Sequence, residues 1–105
     1  MAENDYQTGA SYEINKLIHE PARLKILAFL SMVETADFVF LLSRTGMTTG
    51  NLSSHMTKLE TAGYITIEKS FKNNRPHTEL SITEEGNKAF DQYRKGMLEI
   101  LEPGD

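Results

Sequence analysis

Two stretches of this chain carry side chains that can do chemistry. Residues 48–58 set Thr48, Thr49, Asn51, Ser53, Ser54, Thr57 and Lys58 around the apolar residues Leu52 and Met56. Hydroxyl and amide groups both donate and accept hydrogen bonds, and a lysine adds a positive charge. Such a set can meet phosphate oxygens and base edges. Five of these residues are Ser or Thr, which are mediocre helix formers, so concentrating them on one helix is unfavourable unless the face is used. The second stretch, Lys72-Asn73-Asn74-Arg75, places two turn formers between two cations. Cations on a turn can neutralise phosphates or reach into a minor groove.

Other chemistries find little support. The 105 residues include no cysteine, which excludes a disulfide scaffold, a thiolate metal site and a thiol redox sensor. His19 and His77 stand alone, so a structural metal site is not expected. His55 sits one position off an apolar stripe and reads equally as a packed residue or as a ligand contact. The chain has no Gly-x-Ser-x-Gly, no phosphate-binding loop and no His-Glu-x-x-His. Gly46 and Gly50 follow no strand, so they make no dinucleotide fingerprint. The sequence therefore predicts neither an enzyme nor a cofactor. No apolar run approaches the roughly 20 residues of a membrane span. The acidic start reads as no signal peptide, and a cytoplasmic location is the expectation.

The elements that must position the two stretches follow from periodicity. Residues 1–10 show none and read as a frayed tail. Ser11 is placed to cap a helix bearing Tyr12, Ile14, Leu17 and Ile18, and Pro21 then opens a second helix with Leu24, Ile26, Leu27, Leu30 and Val33. Residues 34–36 read as a short extended link. Asp37 caps a third helix that Gly46 stops. Thr48 caps a fourth helix running to Ala62, with Leu52, Met56 and Leu59 inward. The period then changes to two. Ile65 and Ile67 share a strand face, as do Thr78, Leu80 and Ile82, and the basic tetrad lies between as a hairpin tip. Thr83 caps a last helix over residues 84–101. Met32, Met47, Met56 and Met97 read as core filler.

Helix, turn with a glycine, second amphipathic helix, then a hairpin with a basic tip is the order of a winged helix-turn-helix. The expected class is α+β, mostly α, with a two-stranded wing. Residues 11–105 form one such domain, including the long last helix. Leu24-Lys25-Ile26-Leu27, Gly50-Asn51-Leu52-Ser53-Ser54-His55-Met56, Lys58-Leu59-Glu60 and Ala62-Gly63-Tyr64-Ile65 resemble the winged-helix transcriptional regulators of the MarR and ArsR type. So does Arg75-Pro76-His77-Thr78 followed by Leu80-Ser81-Ile82-Thr83-Glu84-Glu85-Gly86. The likeness covers about residues 16–98 and implies a prokaryotic, DNA-binding regulator whose second helix enters the major groove. In one respect the chain departs from that type. Recognition helices of this kind often carry an arginine near Ser54, and here Lys58 is the only lysine or arginine of the helix, so arginine readout of guanine is not expected.

The net charge of −4 argues against a polyanion partner until its distribution is seen. Residues 1–20 carry a net −3 and residues 79–105 a net −4, while residues 21–46 carry +1 and residues 47–78 carry +2. The bases occupy the middle of the chain. In the last helix Gly86, Phe90, Tyr93, Met97 and Ile100 recur at heptad-like spacing, over a length greater than so small a domain can cover. Phe90, Tyr93, Met97 and Ile100, joined by Ile14, Leu17 and Ile18, are therefore expected to form a two-fold interface. The expected whole is a homodimer on a pseudo-palindromic operator, with either a small apolar effector between its helices or no effector at all. A winged helix that binds protein and not DNA is the alternative.

Overall fold

The computed structural model describes residues 13–104. Its elements run α1 (Pro21–Leu30), β1 (Ala36–Asp37), α2 (Phe38–Thr45), α3 (Thr49–Thr61), β2 (Ile65–Lys72), β3 (Arg75–Ile82) and α4 (Glu84–Leu101). The three strands form an antiparallel sheet of order β1-β3-β2. The winged helix-turn-helix is thus present, and the expected link at residues 34–36 ends in a short third strand, Ala36–Asp37. Ala36 pairs with Leu80 and Asp37 with Glu79.

The first expected helix does not form. Residues 16–18 make a turn and no helix spans residues 13–20, while Ser11 and Tyr12, with the tail at residues 1–10, lie outside the described residues. The cause is local competition for backbone donors. The Asn15 side chain accepts from Leu17 N–H at 3.0 Å and Ile18 N–H at 3.1 Å, closing a single turn. Pro21 then forces the residue before it out of helical geometry. Glu20 is extended, with φ −150° and ψ 127°, and its carboxylate accepts from Arg23 N–H at 2.8 Å to cap α1.

α1 is the centre of the core. Its apolar residues Leu24, Ile26, Leu27, Phe29 and Leu30 surround the helix on several sides, which suits a helix packed by α2, α3, α4 and β3 at once. Ile26, Leu27 and Leu30 are fully buried, together with Ile18, Leu41, Leu52, Leu59 and Leu80. Met56 is buried and Met47 and Met97 are half-buried, but Met32 is 74% exposed and fills no core. Gly46 closes α2 in the left-handed region (φ 71°), and Thr48 opens α3 by accepting from Asn51 N–H at 3.1 Å. At the other end of α3 the backbone makes paired bonds, Tyr64 N–H to Leu59 O at 3.0 Å and Gly63 N–H to Glu60 O at 2.9 Å, with Gly63 at φ 84°. That is the Schellman geometry, which needs a residue tolerant of positive φ at this point.

The wing begins at once. Asn73 and Asn74 both have positive φ (53° and 63°), the two-residue turn that matches strand twist. The molecule is 57 Å long and 23 × 22 Å across. Its radius of gyration of 16.1 Å exceeds the roughly 13 Å of a compact 100-residue domain. Thr83 ties wing to α4, because its hydroxyl donates to Gly63 O at 2.7 Å and accepts from Gly86 N–H at 2.9 Å. Gly86 packs directly on the end of α3. A Cβ there would sit 2.2 Å from the Tyr64 carbonyl oxygen, whereas one at Gly50 would meet nothing within 4 Å.

These two glycines give a matched test. Gly86→Ala forces backbone apart and is expected to cost about 3 kcal/mol in urea unfolding. Gly50→Ala, in an open helical position, is expected to be neutral or stabilising by up to about 1 kcal/mol.

Candidate nucleic-acid interface

α3 sorts its residues cleanly. Leu52 and Leu59 are fully buried and Met56 nearly so, which fixes the rotation of the helix. Thr48, Thr49, Asn51, Ser53, Ser54, Thr57 and Lys58 are then all exposed. Two of these hydroxyls already have partners. Thr48 accepts from Asn51 N–H, and Thr57 Oγ1 donates to Ser53 O at 3.0 Å. Among the described residues the side chains of Thr49, Asn51, Ser53 and Ser54 make no hydrogen bond, so their polar groups face water.

At the wing tip Lys72, Asn73, Asn74 and Arg75 are exposed as well. Strand alternation divides the hairpin into two faces. On one, Ile65 opposes Ile82, Ile67 opposes Leu80, Lys69 opposes Thr78 and Phe71 opposes Pro76. On the other, Glu68 and Glu79 are register partners, and Asp37 of β1 extends the row. Lys72 Nζ lies 3.8 Å from the Glu79 carboxylate, and His77 Nε2 hydrogen-bonds it at 3.2 Å. The acidic face turns away from α3. The other face joins α3 in an open groove lined by Thr49, Ser53, Thr57 and Glu60 of the helix and by Ile67, Lys69 and Thr78 of the sheet, with Phe38 and Met56 at its floor.

Sequence reasoning put Thr78 on a face with Leu80 and Ile82 but counted neither it nor Lys69 among the interface residues, although alternation from Ile65 and Ile67 places Lys69 on this face. It also missed Phe71, which is 74% exposed beside the basic tip. No pattern distinguishes an outward strand phenylalanine from an inward one.

His55 is a packed residue. Arg23 Nη1 donates to His55 Nδ1 at 3.1 Å, and Arg23 Nε donates to Leu17 O at 2.6 Å. Arginine can only donate, so His55 accepts at Nδ1 and carries its proton on Nε2. Glu20 closes the group, 3.9 Å from His55. The Arg23 backbone N–H holds the Glu20 carboxyl below its usual range, helped by the nearby Arg23 guanidinium. This network fastens α3 to the start of α1 from behind the polar face.

The apolar residues expected to pair two copies are divided. Ile18 is fully buried in the core of the chain itself and leaves the stripe, because the Asn15 turn swings it inward. Leu17, Phe90 and Tyr93 are half-buried against that same core. Tyr93 also hydrogen-bonds His19 Nδ1 at 2.8 Å. Ile14 (39% exposed) lies beside Tyr93, Met97 and Ile100. On the other side of α4 an apolar hollow runs between Leu24, Phe90, Met97, Leu98 and Leu101. Leu98 and Leu101 were not on the expected seam, yet they are 46% and 69% exposed. Further along the surface of α4, the Asp91 carboxyl lies below its usual range because Lys95 and Arg94 both hydrogen-bond to it. Among the described residues no helix is long and apolar enough to cross a membrane.

Comparison with known proteins accords with this geometry. The family model described as winged helix DNA-binding domain matches residues 22–101. An uncharacterized protein of Methanocaldococcus jannaschii, MJ0432, is 35% identical over 85 residues, covering 81% of this chain and 92% of that protein. The structure of a transcriptional regulator homologue from Pyrococcus horikoshii OT3 superposes with a TM-score of 0.79 at 24% identity, covering 94% of this chain and 92% of that one. The crystal structure of NadR in complex with 4-hydroxyphenylacetate superposes with a TM-score of 0.68 at 23% identity, over 84% of this chain and 62% of that one.

The two faces of α3 should respond oppositely to truncation. Leu59→Ala is expected to cost about 2–5 kcal/mol of stability, as buried leucines do. Asn51→Ala should leave the unfolding midpoint within about 0.5 kcal/mol of wild type and instead change which duplex sequences bind, read by competition binding.

Proposed function

The chain belongs to the winged helix DNA-binding domain family, and from that premise we propose that it is a transcriptional regulator that binds double-stranded DNA as a homodimer on a pseudo-palindromic operator. One observation carries the reading: the exposed hydroxyl and amide face of α3 opens onto a groove shared with the wing, whose tip is basic. The major groove admits one helix, and short polar side chains can approach its base edges. In this reading Thr49, Asn51, Ser53 and Ser54 read the groove. Thr48, Thr57 and Lys58 contact the flanking phosphates. Lys72, Asn73, Asn74 and Arg75 hold the backbone beyond. The acids of β3 and α4 then lie away from the duplex, which helps to reconcile the charge of −4 with a polyanion partner.

The dimer rests on α4. An 18-residue helix is about 27 Å long, and its last turns leave Leu98, Ile100 and Leu101 in water beside Met97 and Ile14. Pairing these ends about a two-fold axis removes the apolar surface and sets two α3 helices about 34 Å apart, one turn of DNA. The hollow between Leu24, Phe90, Met97 and Leu101 offers space for a small apolar effector at that interface. A solved relative of the same fold, NadR, holds 4-hydroxyphenylacetate.

Selection of bound sequences from random duplex DNA tests the central claim. Enrichment of a two-fold-related pair of half-sites is the expected result, and no enrichment would point to a protein partner instead. Met97→Glu is expected to sediment as a monomer and to bind the selected duplex at least about tenfold more weakly, since a dimer doubles the contacts. A wild-type protein that sediments as a monomer at tens of micromolar would remove the two-fold arrangement.

A further inference from the structure

Phe71 stands out at the wing tip. It is 74% exposed and lies apart from the residues packed on the core. Its strand position demands no aromatic group, because its neighbours Ser70, Lys72, Asn73 and Asn74 are polar. Its register partner is Pro76, so two rigid apolar groups share the last pair before Lys72 and Arg75 close the hairpin. Lys69 shares the face of this apolar pair, and Lys72 and Arg75 close the tip from the opposite face, so the pair has cations to either side and is matched to a partner that is negative at its rim and apolar within. Stacked bases between two phosphate strands have that composition. The placement agrees. Ile67 and Lys69 line the groove against α3, and Phe71 is the next residue outward on that sheet face, about 7 Å beyond Lys69. A wing reaching past a helix seated in the major groove meets the neighbouring minor groove. Apolar side chains inserted there part a base step and bend the duplex.

We propose that Phe71, backed by Pro76, is a wedge that enters the minor groove and unstacks one base step at each half-site. The proposal rests on the DNA-binding reading above and adds a mode of recognition to it. Arg75 and Lys72 act by charge. Phe71 acts by shape, and it favours steps that open easily, such as TA and CA.

The two kinds of contact separate experimentally. The probe is a duplex recovered by the selection, with 2-aminopurine placed in turn at each step flanking a half-site. Wild-type protein is expected to raise the fluorescence at one step per half-site and to shorten the end-to-end distance read by energy transfer. Phe71→Ala is expected to abolish the fluorescence rise and weaken binding about tenfold with the salt slope unchanged. Phe71→Leu should restore both in part. Arg75→Ala should keep the fluorescence rise and lower the salt slope by about 1. Sedimentation and circular dichroism of each free variant accompany the titration. Tight binding by wild type with no fluorescence rise, or equal binding by Phe71→Ala, overturns the wedge and leaves the DNA-binding reading standing. A Phe71→Ala change in self-association with unchanged DNA binding assigns the side chain to a contact between copies and also overturns it. Failure of the selection to enrich any duplex removes the function and the wedge together.

Discussion

The close approach of Gly86 to the Tyr64 carbonyl holds the rest of the molecule in place. That one oxygen accepts the Thr83 N–H at 2.9 Å and lies where a Gly86 side chain would begin. Thr83 bonds on both sides, to Gly63 O and from Gly86 N–H. The Gly63–Tyr64 link between α3 and β2, the last residue of β3 and the first turn of α4 therefore meet within a few atoms. The angle between the polar helix and the wing is set there, and so is the direction in which α4 leaves. No side chain larger than hydrogen fits, which removes the adjustable contact that would let these elements slide.

Everything a duplex would meet is outboard of that junction. α3 is held from behind by Leu52, Met56 and Leu59 and by the Arg23–His55 bond, leaving Thr49, Asn51, Ser53 and Ser54 on its front face free of structural duty. The wing carries Glu68 and Glu79 on one face, with Lys72 and Arg75 on that face at the tip, and Lys69 on the other, so its contribution depends on which residues lie toward the duplex. Total charge says little about such a surface. The row of Asp37, Glu79 and Glu68 contributes to the −4 but points elsewhere.

The long helix serves two purposes along its length. Its first half packs on the rest of the chain, with Gly86 buried and Phe90 and Tyr93 against the core. Its last turns carry the exposed apolar residues. A heptad-like spacing read along the sequence treats these halves alike, because it registers periodicity and contains nothing about where the neighbouring elements stop.

The local signals were legible from the residues alone. Asp37, Thr48 and Thr83 each cap the helix that follows, Asn73-Asn74 makes the turn, and Leu52, Met56 and Leu59 fix the phase of α3, because each depends on groups within a few residues. The exposed face of α3 follows from that phase and was legible with it. Where two local signals compete, the sequence does not say which wins. The stripe at residues 12–18 read as helix, but the Asn15 side chain took the backbone donors and turned Ile18 into the core. Tertiary structure alone decided the pairing of β1 with β3, the Arg23–His55 bond across 32 residues, the need for glycine at position 86, and the exposure of Phe71. Each of these depends on which distant surface arrives beside the residue, and that is fixed by packing around α1 and not by any spacing along the chain.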